Sequence, residues 1–101
     1  KRYSEIHDGY LLSMSLDLQR KLKNMPPYYV NITIDLNQKI NDKKIVGLDI
    51  NAFDGFEIRK LTIKGNQKFY CLDNSLRNTN IKTFNISETV TIINQNSGVE
   101  L

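Results

Sequence analysis

The sequence predicts an α+β fold, with one N-terminal amphipathic helix packed on an antiparallel β-meander of four to six strands. Three observations lead there. Apolar residues recur at helical spacing over Ser4–Asn24, they alternate with polar ones from Tyr28 almost to the end, and two glycine-bearing turns divide the alternating part. A small β-barrel or sandwich plugged by the helix is the alternative architecture.

The helix, about residues 4–24, rests on Ile6, Tyr10, Met14, Leu18 and Leu22, which follow one another at four-residue steps, with Leu11 and Met25 widening the stripe. Ser4 or Asp8 is a capping candidate at its start, although Gly9 weakens the first turn. Arg20, Lys21 and Lys23 place positive charge at its end, where the helix dipole favours it, and Pro26–Pro27 stop it.

From Tyr28 the period becomes two. Tyr28, Val30, Ile32, Ile34 and Leu36 form an inward set, giving a strand over about 28–36. Asn37–Lys44 is polar and reads as a turn. A second strand, about 45–53, puts Val46, Leu48, Ile50 and Ala52 on one face. Asp54-Gly55 is a hairpin signal, because a type I′ turn needs positive φ. The third strand, about 56–64, slips phase at Arg59-Lys60, where a bulge would restore it. Gly65-Asn66 makes a second tight turn into a strand over about 67–73, and two shorter strands follow at about 81–86 and 89–93. No internal repeat and no domain linker is evident, so residues 1–101 read as a single domain.

Composition is that of a globular chain: 101 residues, 40% hydrophobic, 25% charged, net charge +3. No stretch is long and apolar enough to cross a bilayer as a helix. The chain begins at Lys1 rather than Met, which leaves room for a removed tag, signal, anchor or neighbouring domain. A single cysteine, Cys71, excludes an internal disulfide and reads as a small buried hydrophobe, with a reactive thiol as the sharper alternative. It favours a reducing, cytoplasmic setting, or an extracytoplasmic one if an anchor preceded Lys1.

Constellations for catalysis are not evident. His7 is the only histidine, and nothing places it beside Cys71. Asp49, Asp54, Glu57 and Asp73 read as solvated carboxylates rather than an acid–base pair. The run Asp49–Gly55 fails as a calcium loop, because its acidic positions and glycine are displaced and no closing Glu follows. No enzyme activity, cofactor or metal is therefore expected. The sequons at Asn31 and Asn85 read as products of an Asn-rich composition.

One surface stands out. If Leu61, Ile63, Phe69 and Cys71 face inward on a hairpin, its other side carries Lys60, Thr62, Lys64, Lys68 and Tyr70, with Arg59 beside them. Arg59, Lys60, Lys64, Lys68 and Tyr70 are thus the candidate binding residues. Their chemistry suits docking to another, acidic protein, as in a small inhibitor, immunity protein or assembly component. Single-stranded nucleic acid, held through phosphates and stacking, is a weaker alternative. The layout of a helix leading into an antiparallel meander also resembles the soluble part of type IV pilins and pseudopilins. That resemblance implies a structural role with an apolar segment upstream of Lys1.

Overall fold

A computed structural model describes residues 8–13 and 31–100. Eight strands run in chain order: β1 (Tyr10–Leu12), β2 (Asn31–Asp35), β3 (Lys39–Ile40), β4 (Lys43–Leu48), β5 (Glu57–Lys64), β6 (Lys68–Cys71), β7 (Asn80–Ile86) and β8 (Thr91–Asn94). Among the described residues there is no helix. The expected helix over 4–24 is overturned where it can be compared: Tyr10–Leu12 is extended and pairs with β4. The rest of that stretch lies outside the described residues, residues 8, 9 and 13 apart. Three consecutive apolar residues suit a strand as well as a helix, and pairing with a neighbouring strand decides between them.

The antiparallel meander is overturned as well, and with it the helix-plugged barrel or sandwich. The strands form two sheets, β1-β4-β6-β8 and β2-β5-β7, with β3 attached to β4. Every pairing is parallel except β3–β4. From β4 onward consecutive strands alternate between the sheets, so each turn carries the chain from one sheet to the other, and a strand pairs with the equivalent one a coil away. This satisfies the rule that parallel neighbours need a long crossover, here passing through the opposite sheet. The fold is a short solenoid, in which each coil packs mainly on its neighbours.

The register reveals a repeat that composition and alternation had hidden. β5 pairs with β7, β4 with β6 and β6 with β8 at a constant offset of 23 residues, as in Ile58↔Ile81, Gly47↔Tyr70 and Phe69↔Ile92. β2 and β5 are offset by 29, as in Ile34↔Ile63. The six additional residues form the β3–β4 hairpin, turned at Asn41-Asp42, both at positive φ (51° and 64°), as a type I′ turn requires.

The two predicted turns have other roles. Asp54-Gly55 does not close a hairpin; it lies in the corner from β4 to β5. Gly65-Asn66 begins the corner from β5 to β6, not an antiparallel return. The phase slip at Arg59-Lys60 is real, with both side chains exposed between buried Ile58 and Leu61. It inserts no residue relative to β7, because the 23-residue offset holds on both sides of it.

The corner after β4 repeats after β6. Asn51 (φ 60°) and Asn74 (φ 58°) occupy equivalent positions, as do Gly55 (φ 82°) and Asn78 (φ 55°). Asn tolerates the left-handed region better than other side-chain-bearing residues, which explains its recurrence here. Stacked corners bond to one another, with Asn51 N–H donating to the Asp73 carbonyl, Phe53 to Ser75 and Gly55 to Arg77. Ala52 and Ser75 fill the same small, buried position one coil apart. The Ser75 hydroxyl has no partner there.

The main core lies between the sheets. Ile34, Leu61 and Ile63 enter from one side, Ile45, Leu48, Phe69 and Cys71 from the other, and Phe53 and Leu76 seal the corner. Ile50, expected on the inward face of its strand, is 42% exposed, because β4 ends at Leu48 and Ile50 falls in the corner.

Candidate interaction surface

The solenoid separates the five residues singled out from the sequence. Lys60 and Lys64 alternate with inward Leu61 and Ile63 on β5, and Arg59 is exposed beside them. Lys68 and Tyr70 belong to β6 in the other sheet. They do not form one hairpin face. Tyr70, only 6% exposed, packs with buried Leu72 and with Leu11, Val46 and Ile93 in a second apolar cluster. It lies on the outer side of its sheet, since its neighbours Phe69 and Cys71 belong to the inner core.

What the fold does bring together is a different group of lysines. The β3–β4 hairpin stands at the corner that Gly65–Gln67 turns one coil later, and Gln67 Nε2 donates to the Ile45 carbonyl across 2.7 Å, tying the two corners together. Lys39 and Lys44 are paired across the hairpin and Lys43 is adjacent. Lys64 and Lys68 flank the next corner. All five are exposed. Acidic residues near them are Asp35, in register with Lys64, then Asp42, Glu88, and Asp8, which precedes β1 beside the start of β4. Lys39, Lys43 and Lys44 were missed because the hairpin read as an undifferentiated polar turn.

The opposite corners carry the reverse charge. Asp49, Asp54, Glu57, Asp73 and Glu100 lie in or beside them, with Arg77 as the cation. Arg77 is committed: its Nε donates to Asp54 Oδ2 at 3.1 Å, and that hydrogen bond and charge raise the guanidinium pKa further. Asp54 and Arg77 are equivalent residues of successive coils, so the pair staples one corner to the next. Asp49 accepts from the backbone N–H of Ile50. These carboxylates line a stack of turns rather than a cleft, and no cluster that could hold a metal occurs among the described residues. His7 lies outside them.

Cys71 is fully buried in the core. Burial pushes its thiol up to about 12 from 9.0, so it stays protonated at neutral pH and is a poor nucleophile. Thiol reagents should therefore label native protein slowly at neutral pH and unfolded protein fast. The same shift fixes a pH dependence. As pH rises through the unfolded value near 9.0, the unfolded state loses a proton that the folded state keeps, so stability falls until the folded value near 12 is reached. Urea midpoints should decline over that window more steeply for the natural chain than for Cys71→Ala, and equal slopes would show that the thiol is not protected.

No known protein family matches the chain, and no curated protein or solved structure matches it. No helix among the described residues is long and apolar enough to cross a membrane.

Proposed function

We propose that this chain is a non-catalytic protein-binding module that docks an acidic partner on the corner formed by Lys39, Lys43, Lys44, Lys64 and Lys68. The observation that carries this reading is segregation of charge. Five exposed lysines lie along one corner, interspersed with Asp8, Asp35, Asp42 and Glu88, while the opposite corners carry Asp49, Asp54, Glu57, Asp73 and Glu100 with Arg77. Charge arranged this way steers an oppositely charged partner and fixes its orientation more than it supplies raw affinity. A solenoid suits the task, since stacked coils present side chains at strand spacing over a surface that needs no cleft.

The nucleic-acid alternative loses its aromatic. Stacking needs an accessible ring, and Tyr70 is buried. The pilin-like reading rested on a helix leading into an antiparallel meander, and the described strands pair in parallel instead, apart from the β3–β4 hairpin.

The test is a panel of acidic, neutral and basic peptides titrated against the natural chain and against Lys43→Glu/Lys64→Glu/Lys68→Glu. The acidic peptides should bind selectively, weaken as salt rises, and lose about tenfold or more in affinity to the triple variant, given roughly 0.2–1 kcal/mol per exposed charge pair. Far-UV circular dichroism should be unchanged. Selective binding of single-stranded oligonucleotides with no preference for acidic peptides would overturn the proposal.

A further inference from the structure

We propose that Asp54-Gly55 is a latent isoaspartyl site, and that Arg77 of the following coil holds it in the aspartyl form. The proposal uses none of the five lysines above and stands apart from the partner-binding reading.

The reaction needs only the chain and water. The Gly55 nitrogen attacks Asp54 Cγ and an N–C bond forms. The carboxyl hydroxyl and the amide hydrogen leave together as water. The resulting five-membered imide takes water back at either carbonyl. Opening at the side-chain carbonyl regenerates aspartate. Opening at the main-chain carbonyl routes the chain through Cγ, adds one methylene to the backbone and leaves the α-carboxylate as the side group. A following glycine favours ring closure, because it has no Cβ to crowd the ring. The sequence carries two such pairs, Asp8-Gly9 and Asp54-Gly55.

Sterics do not protect the second pair. A Cβ built on Gly55 would meet no atom within 4 Å. Gly55 is exposed and Asp54 half-buried, so the ring has room and water has access. What opposes the reaction is Arg77, which holds both reacting groups at once. Its backbone carbonyl accepts the Gly55 N–H at 2.9 Å, so the attacking nitrogen points its hydrogen into the next coil. Its guanidinium donates to Asp54 Oδ2 from Nε at 3.1 Å and from Nη2 at 2.5 Å. Hydrogen bonds between charged groups are stronger than neutral ones. Ring closure breaks both contacts, because the nitrogen must give up its hydrogen and the carboxyl an oxygen.

The corner therefore has to open locally before it reacts, and the rate follows the open fraction. The product cannot close the corner again. One added methylene puts Gly55 out of step with the Arg77 carbonyl, and the carboxylate that Arg77 held now lies within the main chain as an amide. The change removes the corner bond and the charged staple together.

The test ages the natural chain at neutral pH and body temperature, folded and in urea. Isoaspartate is then counted at each pair by peptide mapping with electron-transfer fragmentation. The folded chain should isomerise at Asp54 several times more slowly than the unfolded one, a comparison that needs no variant. Arg77→Gln should raise the folded rate about 1.5- to 5-fold, the change in opening expected from losing an exposed ion pair. Arg77→Lys should recover part of the protection. Asp8-Gly9 should keep its rate in both variants and serves as the internal standard. Asp54→Glu, which can form only a six-membered ring, should abolish the product at this position. Equal rates at Asp54 in folded and unfolded chain, no acceleration by Arg77→Gln, or the same acceleration at both pairs would overturn the proposal.

Discussion

Phe69→Ala is expected to cost about 3–5 kcal/mol of stability, the range for truncating a buried aromatic. Phe69 is 0% exposed and faces the core between the sheets, where Leu48, Leu61 and Cys71 also converge. A solenoid has no central reservoir of apolar side chains to close over the space left behind, because each coil contributes only a few inward residues. A domain of this size has a total stability of about 5–15 kcal/mol, so the variant should lose about a fifth of it or more. Urea unfolding checks this: the midpoint should fall sharply while the slope stays the same. Ile50→Ala is the control, because Ile50 is 42% exposed and its truncation should stay within about 0.5 kcal/mol. Equal costs at the two positions would mean that Phe69 is not in the core.

The contrast between Phe69 and Ile50 also shows what alternation conveys and what it leaves out. Period-two patterning lay over the residues that became β2, β5, β6, β7 and β8, because a strand with one face in a core must alternate whatever its partner is. It carried no information about the partner. A hairpin meander and a two-sheet solenoid place the same inward residues on the same strands and differ in what joins them. Asp54-Gly55 and Gly65-Asn66 favoured the hairpin, since positive φ suits a tight reversal, yet a solenoid corner needs it too. The signal that separates the two folds lies in the corners. Asn51-Ala-Phe-Asp-Gly55 and Asn74-Ser-Leu-Arg-Asn78 share a pattern of Asn, small residue, large apolar residue, charged residue, then Gly or Asn, at a spacing of 23. Only two copies occur, and the six additional residues of the β3–β4 hairpin break the period on one side. The candidate site suffered for the same reason. Lys64 and Lys68 were singled out from the sequence and do flank one corner, but Tyr70 was assigned to an open face on the assumption that β5 and β6 are adjacent. They lie in different sheets.

Gly47→Ala tests the solenoid pairing most directly, with an expected loss of about 3 kcal/mol, the upper part of the range for overpacking a tight site. A Cβ at Gly47 would land on the carbonyl oxygen of Tyr70, which belongs to backbone and cannot rotate away. β4 and β6 would have to separate there. Their ladder has only two registered pairs, Gly47↔Tyr70 and Leu48↔Cys71, against four between β6 and β8, so it has little reserve. Gly55 sets the comparison. No atom lies within 4 Å of a Cβ built there, and its need for glycine comes from its φ of +82°. Gly55→Ala should therefore cost about 1 kcal/mol through backbone strain alone. Gly55→Asn should be close to neutral, since Asn78 stands in the same conformation one coil later. At Gly47 neither Ala nor Asn should be tolerated, because close approach of two strands excludes any side chain. In the antiparallel meander β4 and β6 would not be neighbours, Gly47 would have no carbonyl against it, and Gly47→Ala would be harmless or mildly stabilising. Thermal unfolding of the four variants separates the two folds without a further structure.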